Sequence, residues 1–377
     1  MVVQIRKLEA PYNYAQIAEV LRNTYFQEYG QAGALQWNEK YAKFYFDGIV
    51  LKADSRDFIF GAYEGNQLIG TTFGHRDAVM FENRLRLEMV NLGLTAVVPE
   101  YKRQGIAQEL ISHVIEHAKE KNLDFVMAFP EKGRFGDKVL EKLEFKNFGK
   151  TQHFIKLMED RGLEVLRDYL GYNVVMVKLA SLYSHLPELM DLVGTTRYGK
   201  IEEIDKVTGI INSYASRVPL ASIYTQEGYS NSNIRFAQMN EIFGDPWGFH
   251  WLVLEGQNGE ILATLSYRIE IVTFEPEPSK YMDGPVALLT SLAFHEKMEL
   301  DQKMQFVNAI LHKIRKEHPE VYVVQITSPQ HELDVFDKLK FVDDRTNYYL
   351  YIKSFTEKGE EINKYKKFKE YFLQYYR

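Results

Sequence analysis

One order of structural elements is written twice along this 377-residue chain, and that repeat constrains the fold more than any other feature. In the first copy Phe58-Ile59-Phe60-Gly61-Ala62-Tyr63 and Leu68-Ile69-Gly70-Thr71-Thr72-Phe73 are β-rich runs joined by Glu64-Gly65-Asn66-Gln67, a hairpin with turn residues at its centre. A long strand follows from about Leu87 to Val97 and is stopped by Pro99. Apolar residues then recur at Ala107, Leu110, Ile111, Val114 and Ala118, which predicts an amphipathic helix fading at Lys121-Asn122. Phe125 to Phe129 is a fully apolar run ended by Pro130, as expected of a buried central strand, and a short helix near Gly136–Leu143 and strands near Phe145 and Phe154 close this half. The second half repeats the order: Trp251–Leu254, a turn at Glu255–Gly259, Ile261–Leu265, a strand at Val286–Phe294, a helix at about Asp301–Lys316, a strand at Tyr322–Thr327 and a helix ending at Lys338-Leu339. Glu141-Lys142-Leu143-Glu144-Phe145 and Asp337-Lys338-Leu339-Lys340-Phe341 mark the same point in each copy, 196 positions apart.

Composition fits two packed domains. At roughly 150 residues per domain the chain has room for both cores. Its 45% hydrophobic and 26% charged content excludes disordered and fibrous classes. The chain has no cysteine, which removes disulfide scaffolds, thiolate metal sites and a cysteine nucleophile together. A net charge of -6 argues against general nucleic-acid binding. The longest apolar stretches fall far short of the about 18 residues of a membrane span, and MVVQIRKLEA lacks the apolar core of a signal peptide, so the expected location is cytoplasmic, without a membrane partner.

The chemistry is expected at Lys102-Arg103-Gln104-Gly105-Ile106-Ala107, between a strand that ends at a proline and the first turn of a helix. Successive backbone N–H groups in a tight loop point one way, the helix N-terminus adds partial positive charge, and Gly105 lets an anion come close to the backbone. The longer run Thr95-Ala96-Val97-Val98-Pro99-Glu100-Tyr101-Lys102-Arg103-Gln104-Gly105-Ile106-Ala107 resembles the acyl-CoA-binding motif of the GNAT superfamily of N-acyltransferases: Gln or Arg, two residues, Gly, one residue, Gly or Ala. Lys102 departs from the first position of that motif but keeps the charge. The resemblance covers about residues 3 to 157 in element order and implies an α/β (α+β) fold of two tandem GNAT-like domains, each a mixed, mostly antiparallel sheet flanked by helices. The implied division is 1–157 for the domain with an acetyl-CoA site, 158–196 for a connection, 197–355 for a degenerate copy and 356–377 for a C-terminal amphipathic helix.

The same resemblance implies acetyl-CoA as co-substrate, no metal, and a small-molecule or peptide amine as acceptor. A homodimer is compatible with it. Lys102, Arg103, Gln104, Gly105, Ile106, Ala107 and Gln108 take the pyrophosphate-holding role, Thr95 and Val97 pair with the pantetheine arm, and the Thr95 N–H polarises the thioester carbonyl. Two departures bear on catalysis. Leu140 stands where many members have an acidic tyrosine, and Asn91 stands where some have a carboxylate base. Asn91 can orient a water, with Glu88, Glu82, His75 or His153 as the base behind it, and Tyr25 and Tyr29 as the tyrosines to consider as acid. These departures also motivate the alternative of a non-catalytic acyl-CoA-binding or regulatory protein.

The second copy has Met298-Glu299-Leu300-Asp301-Gln302-Lys303-Met304 over the loop position, without glycine and with two carboxylates, so a structural role is expected there. Trp37, Tyr25, Tyr29, Tyr41, Phe44 and Tyr45 read as helix-packing residues, or else as the lining of an acceptor pocket. The connection is expected to hold an apolar run at Val174–Val177 and a helix-like segment around Leu186–Leu192, and the tail to place Ile362, Tyr365, Phe368, Phe372 and Tyr375 on one helical stripe.

Overall fold

The computed structural model describes residues 2–29, 34–47, 53–151, 153–158, 184–189, 194–277, 280–321, 323–327, 332–343 and 348–373. Its strands are β1 (Val3–Lys7), β2 (Ala34–Leu35), β3 (Ile59–Glu64), β4 (Gln67–Phe81), β5 (Leu85–Val97), β6 (Phe125–Ala128), β7 (Lys146–Thr151), β8 (His153–Leu157), β9 (Gly194–Tyr198), β10 (Leu220–Ser222), β11 (Gly248–Gly256), β12 (Ile261–Glu277), β13 (Lys280–Phe294), β14 (Val323–Thr327), β15 (Val342–Asp343) and β16 (Tyr348–Ser354). The helices are α1 (Tyr14–Tyr29), α2 (Glu39–Tyr45), α3 (Ile106–Glu120), α4 (Phe135–Lys142), α5 (Ile204–Ala215), α6 (Gln226–Ala237), α7 (Met239–Phe243), α8 (Leu300–Glu317), α9 (Leu333–Lys338) and α10 (Glu357–Glu360).

Among the described residues these strands form two 8-stranded sheets. The first runs β1-β3-β4-β5-β6-β16-β7 with β10 beside β4, and the second runs β15-β8-β14-β13-β12-β11-β9 with β2 beside β12. The ladders are antiparallel except β5–β6 and β13–β14, so each sheet is mixed with a single parallel step, as expected. Helix α3 forms where the sequence places it: Ile106, Leu110, Ile111, Val114 and Ala118 make one buried stripe against the first sheet. The Ile, Leu and Val side chains of that stripe each contribute about 1.5–3 kcal/mol of burial.

The two halves exchange a strand, which a linear division of the chain does not show. β8 lies within the expected first domain of 1–157, yet it pairs with β14, Phe154 opposite Ile326, in the second sheet. β16 lies within the expected second domain of 197–355, yet it sits between β6 and β7 of the first sheet, pairing Ile352 with Met127 on one side and with Lys146 on the other. Each core is therefore closed by a strand from the other half.

The tail differs from the expected helix. Helix α10 is four residues long, a 3-10 turn follows at Glu361–Lys364, and beyond it Phe368 N–H donates to Phe148 O at 2.6 Å and Phe372 N–H to Leu220 O at 2.9 Å. Ile362, Phe368, Tyr371 and Phe372 are buried, so the apolar residues were placed inward as expected, but strand backbones of the body capture the tail's N–H groups and prevent an intrahelical ladder. Tyr375 lies outside the described residues. In the connection, Val174–Val177 also lie outside them, and Pro187, Glu188 and Leu189 are irregular rather than helical, with Leu186 buried in the second core.

Candidate active site

The site is built on a splay in the first sheet. β5 and β6 pair in parallel from Met89 opposite Phe125 to Leu92 opposite Ala128, and the ladder stops there while β5 continues to Val97. A bulge lies just beyond: the register with β4 shifts between Thr71 and Phe73, and Leu94 has φ +49. A branched side chain in the left-handed region costs on the order of 1 kcal/mol, and the bulge turns the backbone of Gly93–Thr95 out of the ladder. Thr72 and Thr95 hold it with a hydroxyl contact of 2.7 Å, and Tyr25 donates to Thr95 O at 3.5 Å. A Cβ built at Gly93 would meet no atom within 4 Å.

The loop after β5 presents its amides. A 3-10 turn at Pro99–Tyr101 leads to Arg103 with φ +65 and Gly105 with φ +84, the N-cap of α3, which makes no side-chain cap bond. Among the described residues the backbone N–H groups of Arg103, Gln104, Gly105, Ile106, Ala107 and Gln108 donate to no protein group, and Arg103, Gln104 and Gly105 are exposed. Four such donors are left by any helix start; here two left-handed residues add to them, a shape suited to a diphosphate. Lys102 is placed differently from expectation. Its Nζ pairs with Glu28 Oε1 at 3.1 Å and Gln27 Oε1 at 2.9 Å, so it fastens the loop to α1.

The candidate bases separate in space. Asn91 is buried on β5 directly opposite His75 on β4, two residues before Gly93 and on the same face. Ser55 Oγ lies 3.2 Å from His75 Nδ1, an orienting contact between elements twenty positions apart that carries no sequence signal. Glu88 is seven residues from Thr95 along the strand, roughly 20 Å at about 3.3 Å per residue. It is tied to Arg86 at 3.0 Å and Arg76 at 3.7 Å. Glu82 sits at the β4–β5 turn, its carboxyl held low first by the Arg84 contact, and also accepts from Tyr365 at 3.1 Å. His153 belongs to β8 of the second sheet, where it meets Thr327 Oγ1 at 3.2 Å. The structure thus brings His75 and Asn91 together at the splay, and Glu88, Glu82 and His153 are held elsewhere. Leu140 is buried in the first core, leaving its position without a polar function. The Tyr29 side chain lies outside what is described. Trp37, Tyr41, Phe44 and Tyr45 are buried and pack on one another, with Trp37 and Tyr41 ring centroids 5.2 Å apart.

Comparison with known proteins bears on the domain and the fold. Residues 4–139 match the acetyltransferase (GNAT) domain. The chain is a GNAT-fold protein. N-myristoyltransferase of Saccharomyces cerevisiae with bound myristoyl-CoA superposes with a TM-score of 0.71 at 14% identity, over 93% of this chain and 82% of that one. A GCN5-related N-acetyltransferase from Anabaena variabilis superposes with a TM-score of 0.59 at 10% identity, over 94% of this chain and 73% of that one. No curated protein matches the sequence. The family match is confined to the first half of the chain, and the structural likeness extends the fold over nearly all of it.

Proposed function

We propose that this GNAT protein moves an acetyl group from acetyl-CoA to a primary amine of a small-molecule or peptide acceptor. The observation that carries the reading is the row of six undonated amides from Arg103 to Gln108 beside an open splay. In this reading those amides hold the pyrophosphate, Arg103 adds charge, and the free edge of β5 at Thr95 and Val97 receives the pantetheine arm as an added strand. The Thr95 N–H at the bulge polarises the thioester carbonyl. His75, oriented by Ser55, takes the ammonium proton by way of a water on Asn91; the amine then attacks the carbonyl, the C–S bond breaks, and the proton that nitrogen sheds passes to the departing thiolate.

A short acyl group is supported by what lies beside the bulge. Phe73, the cross-strand partner of Gly93, is covered by the Phe46 ring at 4.2 Å, and both are buried. A tetradecanoyl chain would have to displace them. The test is displacement of bound coenzyme A by acetyl-CoA and by myristoyl-CoA, followed by coenzyme A release with an amine panel. Tighter binding of acetyl-CoA and turnover that rises with pH to a plateau support the reading; preference for myristoyl-CoA overturns the short chain. Binding without turnover by any amine favours the non-catalytic alternative, which Leu140 and Asn91 motivate. A falling alkaline limb that disappears in Tyr25→Phe would assign the acid to Tyr25.

A further inference from the structure

One buried carboxylate beside the splay is only half used by its surroundings. Asp137 stands in the first turn of α4, three positions before Leu140 and on the same face of the helix, which turns inward onto the first core. It is 6% exposed. Its Oδ2 accepts the Gly133 N–H at 2.8 Å, where Gly133 turns with φ +86, so that oxygen serves the start of the helix. Its Oδ1 has no hydrogen-bond partner among the described residues. The cations beside it in sequence are engaged elsewhere: Arg134 Nε pairs with Glu131 at 3.1 Å, and Lys132 Nζ lies over the Tyr349 ring, 5.1 Å from its centroid. A buried carboxylate oxygen is costly to leave unmet, so the position calls for a donor.

Asp137 lies at the wall of the splay, and the splay is open. Leu92, Ala128 and Tyr351 stand side by side across β5, β6 and β16, on the sheet face that α4 covers. Burial first, and then the carboxylates of Glu141 and Asp137, raise the Tyr351 hydroxyl, which sets Asp137 over this row. The row is also the last rung joining β5 to β6. Beyond it Gly93, Leu94 and Thr95 on one side and Phe129, Pro130 and Glu131 on the other are all partly exposed, so the gap meets solvent along both backbones. The second wall is fixed by Tyr349, whose N–H donates to Pro130 O at 3.1 Å, and the first turn of α4 rests on it: a Cβ built at Gly136 stands 3.4 Å from Pro130 Cβ. Pro130 is two residues past the rung, about 7 Å at roughly 3.3 Å per residue. Asp137 therefore stands between the last rung and the level of the bulge.

We propose that Asp137 Oδ1 accepts the amide N–H of the pantetheine arm that lies nearest the thioester. This rests on the acyl-transfer reading, in which the arm runs along the edge of β5 with its thioester at the bulge, and it adds the residue that receives the arm's opposite edge. An added strand carries hydrogen-bonding groups on both edges; one edge faces β5 and the other faces α4. With the thioester at Gly93–Thr95, the amide two carbons from the sulfur is the donor that comes level with Asp137. A carboxylate holds that N–H in a charge-assisted bond, stronger than a neutral one, and so fixes how the thioester carbonyl meets the Thr95 N–H. In this role Asp137 is a positioning residue.

The probes are acetyl-CoA, an analogue in which an ester oxygen replaces that N–H, a second analogue with the same replacement at the other amide of the arm, and ADP, which carries the diphosphate without the arm. Their affinities are measured by calorimetry on the parent and on Asp137→Asn. Asparagine keeps the shape and, through its oxygen, the Gly133 bond, and turns an NH2 group toward the arm. The parent should bind acetyl-CoA about tenfold or more tightly than the first analogue. Asp137→Asn should bind acetyl-CoA about tenfold or more weakly than the parent, bring the first analogue's ratio close to one, and leave the second analogue's ratio and the ADP affinity unchanged. Asp137→Ser serves in the same way if the asparagine variant does not fold. Equal affinity of the parent for acetyl-CoA and the first analogue, a preference that survives in the variant, a change in the second ratio in place of the first, or a loss of ADP affinity as large as the loss of acetyl-CoA affinity each overturn the assignment and leave the coenzyme A loop standing. Absence of acetyl-CoA binding in the parent overturns the acyl-transfer reading and this assignment with it.

Discussion

Helices α3 and α8 occupy the same place in the two halves and begin in opposite ways. Helix α3 starts at Gly105 with a left-handed backbone and no side-chain cap. Helix α8 starts at Glu299, whose N–H donates to Gln302 Oε1 at 3.0 Å in a capping box. One helix starts without any side-chain cap, and the other bonds the N–H groups of Gln302 and Glu299 with the Glu299 carboxylate and the Gln302 amide. The splay persists in both: β13 and β14 pair only as far as Leu289 opposite Ile326, and Ser291 repeats the left-handed bulge of Leu94 with φ +53. In the second half that region is internally bonded, with Lys303 Nζ on Glu332 Oε1 at 2.9 Å and over the Phe294 ring at 5.5 Å. The two halves thus share a backbone and differ at this helix start, which is uncapped in the first and capped beside a paired lysine in the second.

The largest expected effect concerns what the halves share. Ending the chain after Asp343 removes β16 and the tail, leaving β6 and β7 without the strand between them although residues 1–157 are intact. The loss should exceed the roughly 5–15 kcal/mol that holds a native domain, so the first half should lose its protease resistance and its far-ultraviolet dichroism. A folded, coenzyme A-binding fragment would show that the exchange is dispensable.

A smaller effect separates the halves by pH. His250 is pushed down to about 4, first by burial and then by His318, whose Nε2 lies 3.1 Å from its own. The folded value lies below the unfolded one of about 6.5, so the stability it confers is complete above pH 6.5 and is lost as pH falls toward 4. A loss of about 2 kcal/mol over that window is expected from denaturant midpoints, and His250→Phe should flatten it. An unchanged slope in the variant would place the acid sensitivity elsewhere.

The smallest effect tests the cap itself. Gln302→Ala should lower stability by about 1 kcal/mol and leave acetyl-CoA binding unchanged. Appearance of a second binding site in that variant would show that the cap alone closes the second half.

Local elements were legible in the sequence because their signals are local: the Gly65-Asn66 turn, the stripe of α3 and the glycine of the loop all stand where the residues predict. Partner choice was not. The apolar run Phe154-Ile155 reads as a strand, and nothing in it says whether it joins β7 or β14; the exchange depends on which edge is open when both halves pack. For the same reason His153 was expected beside Asn91 and lies in the other sheet. Glu88 read as an available carboxylate because its cross-strand Arg76 is distant in sequence. The tail's apolar spacing fits a helical stripe, yet Phe148 and Leu220 take up its backbone donors.

The account stands most directly on the number of acetyl-CoA molecules bound per chain, measured by calorimetry on the parent and on Gly105→Glu. No atom lies within 4 Å of a Cβ at Gly105, so the substitution has room, and the left-handed φ of +84 costs about 1–2 kcal/mol of strain. The parent should bind one molecule per chain, with a stabilisation of about 2.7 kcal/mol at 100 times the dissociation constant. The variant should remain folded and bind at least 100-fold more weakly, because its carboxylate occupies and repels the pyrophosphate position. Two equivalent sites in the parent, none, or binding in the variant within a few-fold of the parent would contradict the assignment.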